Sequence, residues 1–225
     1  MRVLAIGDIH GCSQALDALL AAVDLQLGDT LVTLGDYVDR GPDSRGVLER
    51  LIALDAREDV ALVPILGNHD QMMLEAYRGG GKDWLYGYGL PTLASYGAGP
   101  EELNAVPAEH WAFLERCVDS YETERHLFVH ANAYPDHSLA DTPVYMLRWE
   151  KLRAKTSRPH ESGKTLICGH TSQKDGRVLN LGHAVCIDTY AHGGGWLTCL
   201  DVHATRLWQA NEAGEAQTRW LDDGP

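Results

Sequence analysis

The sequence predicts a layered α/β core with a second sheet, and three observations carry that expectation. Within the first 70 residues, apolar strand-like runs alternate with helical patterns in the order strand, helix, strand, helix, strand, which is the order of parallel βαβ units. Each of the three runs stops at a glycine followed by an oxygen-bearing side chain, at Gly7-Asp8, Gly35-Asp36 and Gly67-Asn68. From residue 165 onward, short apolar runs follow one another between tight turns, the pattern of an antiparallel meander.

Taken in order, Arg2 to Ile6 is a continuous apolar run of the kind found in a buried strand. Ser13 is a plausible N-cap for a helix whose Leu16, Leu19, Leu20 and Val23 share a face. Thr30 to Leu34 reads as the second strand, and Asp43 or Ser44 as the cap of a helix turning Val47, Leu48, Leu51 and Ile52 inward. Val60 to Leu66 is the third strand, with Pro64 calling for a bulge or an unpaired side. A helix over 69–77 leads to the triple glycine at 79–81. The segment from there to Gly99, with Trp84, Tyr86, Tyr88 and Tyr96, reads as a lid or inserted cap, whose aromatics are expected to pack against the body, with a substrate base or ring as the alternative partner. Further on we expect a helix at 107–118, a strand at 124–129, a polar loop at 132–143, a short helix at 143–152 and a mobile polar loop at 153–163. Five strands complete the chain at 165–168, 177–181, 184–187, 196–202 and 204–209.

Composition narrows the function. A formal charge of −13 over 225 residues, with no block of Lys or Arg, repels phosphate backbones and anionic membranes, so neither nucleic acid nor a membrane is an expected partner. No apolar stretch approaches the roughly 20 residues that span a bilayer. Gly7-Asp8 ends the first apolar run far short of a secretory h-region. Five cysteines, an odd count without a CxxC pair, point to a reducing cytoplasm.

The chemistry lies in the three corners. Gly35-Asp36-Tyr37-Val38-Asp39-Arg40-Gly41 packs two carboxylates and a guanidinium between glycines. Asp36 suits a cation, Asp39 can orient another group, and Arg40 offers a planar fork for phosphate oxygens. Asp8 and His10 stand two apart after a strand, so both can reach one ion. Asn68 and His69 add a neutral oxygen and an imidazole at the third strand's end. Parallel strands would bring all three corners to one rim.

As a set, these segments resemble the phosphoprotein-phosphatase branch of the calcineurin-like metallophosphoesterases: GDxHG at 7–11, GDxxDRG at 35–41 and GNHD at 67–70. The resemblance continues through Phe128-Val129-His130-Ala131 and Gly169-His170-Thr171 and covers residues 1 to about 200. It implies the calcineurin-like fold, two mixed β-sheets packed as a sandwich and flanked by helices. That would be a single domain over 1–225, with 79–99 as its candidate lid. It implies two divalent metals, one held by Asp8, His10 and Asp36, with Asp36 bridging to a second held by Asn68, His130 and His170. A hydroxide shared by the metals would attack phosphorus in line, with Arg40 neutralising the equatorial oxygens. His69 would be the general acid and Asp39 its carboxylate partner. A second phosphate-binding arginine is expected between His130 and His170, with Arg148 the candidate and Arg153 the rival. Asn132 stands where the family favours glycine. Ile187-Asp188-Thr189-Tyr190 with the glycines at 193–195 resembles a loop bordering the site, where Tyr190 either touches substrate or packs.

The functional expectation is therefore a metal-dependent phosphatase acting on phosphomonoesters, with phosphoserine and phosphothreonine in proteins as its substrates. The alternatives are symmetrical bis(5′-nucleosyl)-tetraphosphate hydrolysis, with the aromatics of 84–96 holding a base, and a catalytically silent metal-binding module. Mn is the metal expected to serve in vitro; Fe, Zn or Co also suit such donors. Two rival readings fail on the residues. Gly163-Lys164-Thr165 lacks the glycine a P-loop needs at 158, and His126 with His130 lacks the glutamate of a zinc protease. Cys12 reads as a small buried filler or a redox-sensitive thiol. Sequence leaves the oligomeric state open.

Overall fold

In the computed structural model, which describes residues 1–221, the first apolar run becomes β1 (Val3–Ile6). It lies between parallel β2 (Asp29–Thr33) and antiparallel β9 (Leu197–Asp201), so it is hydrogen-bonded on both sides, as a continuous apolar strand requires. Between β1 and β2 the chain forms α1 (Ser13–Val23), which buries Leu16, Leu19 and Val23. Ser13 is its first residue rather than its cap, a position that falls on Cys12. The second crossover is α2 (Ser44–Asp55), capped by the Asp43 carboxylate, which accepts from Gly46 N at 2.9 Å.

β3 (Val60–Pro64) ends at its proline, shorter than the sequence implies, and pairs parallel to β2 at the edge of the sheet. An unpaired edge asks for no N–H, which is why Pro64 is tolerated there. Next come α3 (Asn68–Tyr77), one π-helical turn at Trp84–Tyr88, α4 (Leu90–Ser95) and α5 (Ala108–Glu115).

The second sheet starts with β4 (Ser120–Glu122), which the sequence reading missed, and β5 (His126–Val129). After α6 (Val144–Trp149) it adds β6 (Thr165–Cys168), β7 (Leu179–Asn180) and β8 (Ala184–Cys186). Its order is β4-β5-β6-β8-β7, and β5, β6 and β8 run parallel. The expected meander is therefore corrected. β9, β10 (Arg206–Ala210) and β11 (Ala216–Trp220) leave the second sheet and extend the first, whose order is β11-β10-β9-β1-β2-β3. β11 was not foreseen.

The sheets face each other across a shared apolar layer, with Ala5, Val32, Leu34 and Ile65 meeting Phe128, Ile167, Val185 and Ile187. A larger cluster lies under α1, α2, α3 and α5 on the outer face of the first sheet. α6 covers the outer face of the second through Leu147. The resulting fold is the mixed α/β sandwich with flanking helices. Residues 153–163, expected to be mobile, are tied down by Ser157 Oγ with His183 Nε2 (2.9 Å), His160 Nε2 donating to His137 O (2.8 Å) and Glu161 N donating to Pro135 O (2.8 Å). Among the described residues no helix is long and apolar enough to cross a membrane.

Candidate dinuclear metal centre

Both sheets contribute parallel strands, and the carboxyl ends of β1, β2 and β3 meet those of β5, β6 and β8 along one edge of the sandwich. That edge collects the side chains singled out in the sequence. Asp8 and His10 follow β1, Asp36 follows β2, and Asn68 opens α3 just beyond β3. His130 follows β5 and His170 follows β6. Asp8, His10, Asp36, Asn68 and His130 are each at most 5% exposed.

Backbone geometry here is unusual. Among the described residues, six of the non-glycine residues at positive φ are His10, Asp36, Asp39, Arg40, His170 and Tyr190, all in this region. L-residues resist that conformation by roughly 1–2 kcal/mol each, so something must hold it. Asp70 does much of this. Its buried carboxylate accepts from Asp36 N (2.8 Å), Tyr37 N (2.9 Å) and Gly67 N (3.0 Å), locking the second corner onto the third. The first corner is stitched to the second by His10 N donating to Asp36 O (2.7 Å) and Gly41 N donating to His10 O (3.0 Å).

Histidine tautomers follow from their carbonyl partners, since a carbonyl can only accept. His130 Nδ1 donates to Leu34 O at 2.8 Å, and His170 Nε2 donates to Trp149 O at 3.0 Å. Burial lowers the pKa of both imidazoles, that of His170 to about 4, so both are neutral near pH 7. His130 Nε2 and His170 Nδ1 are then bare lone pairs, yet they lie 3.2 Å apart, each 3.0 Å from Asn68 Oδ1. Three converging acceptors repel one another unless a cation stands between them. Asp36 completes this group, with Oδ1 3.5 Å from His130 Nε2. On its other side Asp36 Oδ2 lies 3.3 Å from His10 Nε2, while His10 Nδ1 donates to Val38 O at 2.8 Å; burial works against a charge on His10, but the Asp36 carboxylate outweighs it and raises the imidazole's pKa.

Asp36 is thus common to two clusters of ligand atoms, one with His130 and His170, the other with His10 and His69. Burial works against its charge, but the imidazoles of His130, His69 and His10 outweigh that and hold its carboxyl well below the usual range. Burial and the neighbouring charges of Asp188 and Asp36 push Asp8 well upward, and burial also raises Asp188. Carboxylate oxygens and imidazole nitrogens packed together in a buried site are a donor set that fits divalent cations.

Asp8 lines the same cleft, but its carboxylate faces the backbone, both oxygens accepting from His170 N at 3.0 and 3.1 Å. The ligand atom that groups with those of His10 and Asp36 belongs instead to His69. His69 Nδ1 and Asp39 Oδ2 are 2.7 Å apart, and Arg40 Nη2 donates to His69 Nε2 at 3.2 Å. Asp39 is fully buried and accepts also from Thr92 Oγ1 (2.7 Å) and Trp84 Nε1 (3.0 Å). Trp84 is therefore no platform for a substrate base. Tyr86 and Tyr88 are each 57% exposed, and Tyr88 sets its ring edge-on to His69.

The cleft over this centre encloses about 340 Å³, with Arg40, Lys151, Lys174 and Tyr190 at its wall. Arg148, the expected second arginine, is not among its lining residues; its guanidinium is held by Asp119 and by Gln71 Oε1 at 3.1 Å. Arg153 lines a neighbouring cavity instead. Sequence reasoning assigned no role to Asp70, Thr92, Lys151 and Lys174, and of its two readings of the aromatics, packing or a platform for a base, Trp84 takes the first. A signal existed for Asp70, which belongs to the GNHD segment. None existed for Thr92 and Trp84, 53 and 45 residues from the carboxylate they serve.

A buried, carboxylate-bridged ligand set beside an arginine and an Asp-paired histidine, at the strand ends of an α/β sandwich, defines a metallophosphoesterase centre. The model of the calcineurin-like phosphoesterase family matches residues 1–196, and the chain belongs to that family. It is 31% identical over 209 residues to serine/threonine-protein phosphatase 1 of Salmonella typhimurium, covering 89% of this chain and 92% of that one. Over 80 residues it is 44% identical to the symmetrical bis(5′-nucleosyl)-tetraphosphatase of Acidovorax sp.. That match spans 35% of this chain and only 27% of the relative's length. The fold is similar to the crystal structure of a cold-active protein-tyrosine phosphatase of a psychrophilic Shewanella, with a TM-score of 0.65 at 20% identity, covering 96% of this chain and 80% of that one.

Proposed function

We propose that this chain hydrolyses phosphomonoesters with two divalent cations, held by His10 with Asp8 and Asp36 on one side and by Asn68, His130 and His170 with Asp36 on the other. The observation that carries the reading is the cluster of bare lone pairs on Asn68, His130 and His170 beside the Asp39–His69–Arg40 chain. Bound cations would supply Lewis acidity and lower the pKa of a shared water. Arg40 moves from His69 Nε2 to the phosphate oxygens, where its fork binds bidentately. Lys151, on the cleft wall, takes the second phosphate-binding role first assigned to Arg148. Freed of Arg40, His69 Nε2 can carry a proton to the departing oxygen. Asp39, fixed by Trp84 and Thr92, keeps the ring aimed.

Phosphoserine and phosphothreonine in proteins are the substrates we favour, supported by the end-to-end match to the Salmonella phosphatase. Symmetrical tetraphosphate hydrolysis is the second reading, supported by the higher identity of the 80-residue match. Residues 79–99 form the lid of a single domain, Mn serves in vitro, and five free cysteines suit a cytoplasmic setting. Chelation should abolish hydrolysis of p-nitrophenyl phosphate and Mn²⁺ should restore it; activity surviving in chelator sinks the reading. Turnover of a phosphothreonine peptide beside diadenosine tetraphosphate then separates the two substrates.

A further inference from the structure

Next to the catalytic cleft lies a second cavity, also of about 340 Å³, and the two share Lys151 on their walls. The shared wall is firmly placed. On one side of Lys151 the Trp149 carbonyl accepts from His170 Nε2 at 3.0 Å, and on the other Leu152 N donates to Thr171 Oγ1 at 3.0 Å. The floor of the second cavity is apolar, from Leu127, Met146 and Leu166, and its wall adds Arg153 and Arg158 to Lys151. Among the described residues Glu150 is the sole acidic one in the lining, and its carboxylate stands 3.8 Å from Arg153 Nε. In a chain of net charge −13, a cavity wall with three cations against one carboxylate is a local reversal of sign. The loop that carries Arg153 and Arg158 is pinned at Ser157, His160 and Glu161, so the cations stand on fixed backbone.

We propose that this cavity binds a second anionic group of the substrate, so that among small phosphoesters the enzyme prefers those that carry a second phosphate. The proposal rests on the phosphoesterase reading of the adjoining metal centre. A phosphate reaching past Lys151 would meet Arg153 and Arg158, while the apolar spacer between the two phosphates rests on Leu127, Met146 and Leu166. Charge-assisted bonds to a phosphate are the strong ones, and here they act on substrates bearing a second phosphate and not on simple monoesters.

The test uses Mn-loaded enzyme and α,ω-alkanediol bisphosphates from butane to octane, each beside its monophosphate, with p-nitrophenyl phosphate as reference. At one spacer length kcat/KM for the bisphosphate is expected to exceed that of its monophosphate at least tenfold. The doubly substituted Arg153→Ala, Arg158→Ala enzyme should lose that preference while keeping turnover of p-nitrophenyl phosphate, and Arg158→Lys should retain part of it. Both arginines are exposed and outside the catalytic cleft, so the fold should tolerate the change. Absence of preference at every length, or a preference that survives the double substitution, overturns the proposal. So does a loss confined to a phosphothreonine peptide with acidic flanks, which would make the cavity a protein-substrate site. If no form hydrolyses p-nitrophenyl phosphate, it is the phosphoesterase reading that fails.

Discussion

His69 sits between two partners that pull in opposite directions chemically. Asp39 fixes Nδ1, and Arg40 occupies Nε2. His69→Asn should lower kcat by about 10²-fold or more, the usual size of a general-acid contribution, with metal content unchanged by elemental analysis. Loss of metal would instead make His69 a ligand, as its place in the cluster with His10 and Asp36 allows. Thr92→Val and Trp84→Phe each strip a donor from a carboxylate that is 0% exposed. Each should cost about 1–3 kcal/mol of stability in urea unfolding and lower kcat without altering metal stoichiometry. Asp70→Asn should cost a similar amount, since the new amide would point N–H groups at the N–H groups of Asp36, Tyr37 or Gly67.

Among the elements, the loops after β2 and β3 are close enough that glycine is required at their contact. A Cβ on Gly67 would lie 2.2 Å from both N and Oδ1 of Asp36. Gly67→Ala should therefore weaken Mn²⁺ binding at least tenfold by calorimetry, whereas Gly87→Ala, where a Cβ meets nothing within 4 Å, should leave it unchanged. The close-knit loops explain why the first 70 residues were readable. Each corner is local, and parallel strands oblige the corners to meet. The last third was harder because alternation of apolar residues reports burial, not partnership. Leu197–Asp201 is buried throughout and looks like its neighbours, but its register is with Leu4 to Ile6 at the other end of the chain. The role of Trp84 was hidden for a related reason: a Gly-rich aromatic segment is compatible with packing, and nothing local says that one indole N–H reaches back to Asp39. Lys151 escaped notice because arginine was the expected cation and short α6 turns Arg148 toward Asp119 instead.

At the scale of the molecule, the metal centre joins the two sheets. Asp36 comes from the first, His130 and His170 from the second, and the buried carboxylates Asp8, Asp36 and Asp188 gather between them. Cations bound there would hold the sandwich together across its open edge. With free Mn²⁺ at a hundredfold its dissociation constant, each site should add about 2.7 kcal/mol to unfolding free energy, read from urea midpoints with and without chelator. The chain is acidic as a whole, so the cations Arg40, Lys151 and Lys174 at the cleft favour the approach of an anionic ester.

Asp36 remains the residue on which the account turns, because it alone belongs to both ligand clusters. The most direct test is calorimetric titration of the metal-free chain with Mn²⁺, comparing the native protein with Asp36→Asn and following p-nitrophenyl phosphate turnover in parallel. Two equivalents bound by the native chain, with high-affinity uptake at both sites and turnover lost together in Asp36→Asn, is the expected result. A single equivalent in the native chain, or a variant that keeps two metals and full turnover, would contradict a carboxylate-bridged pair.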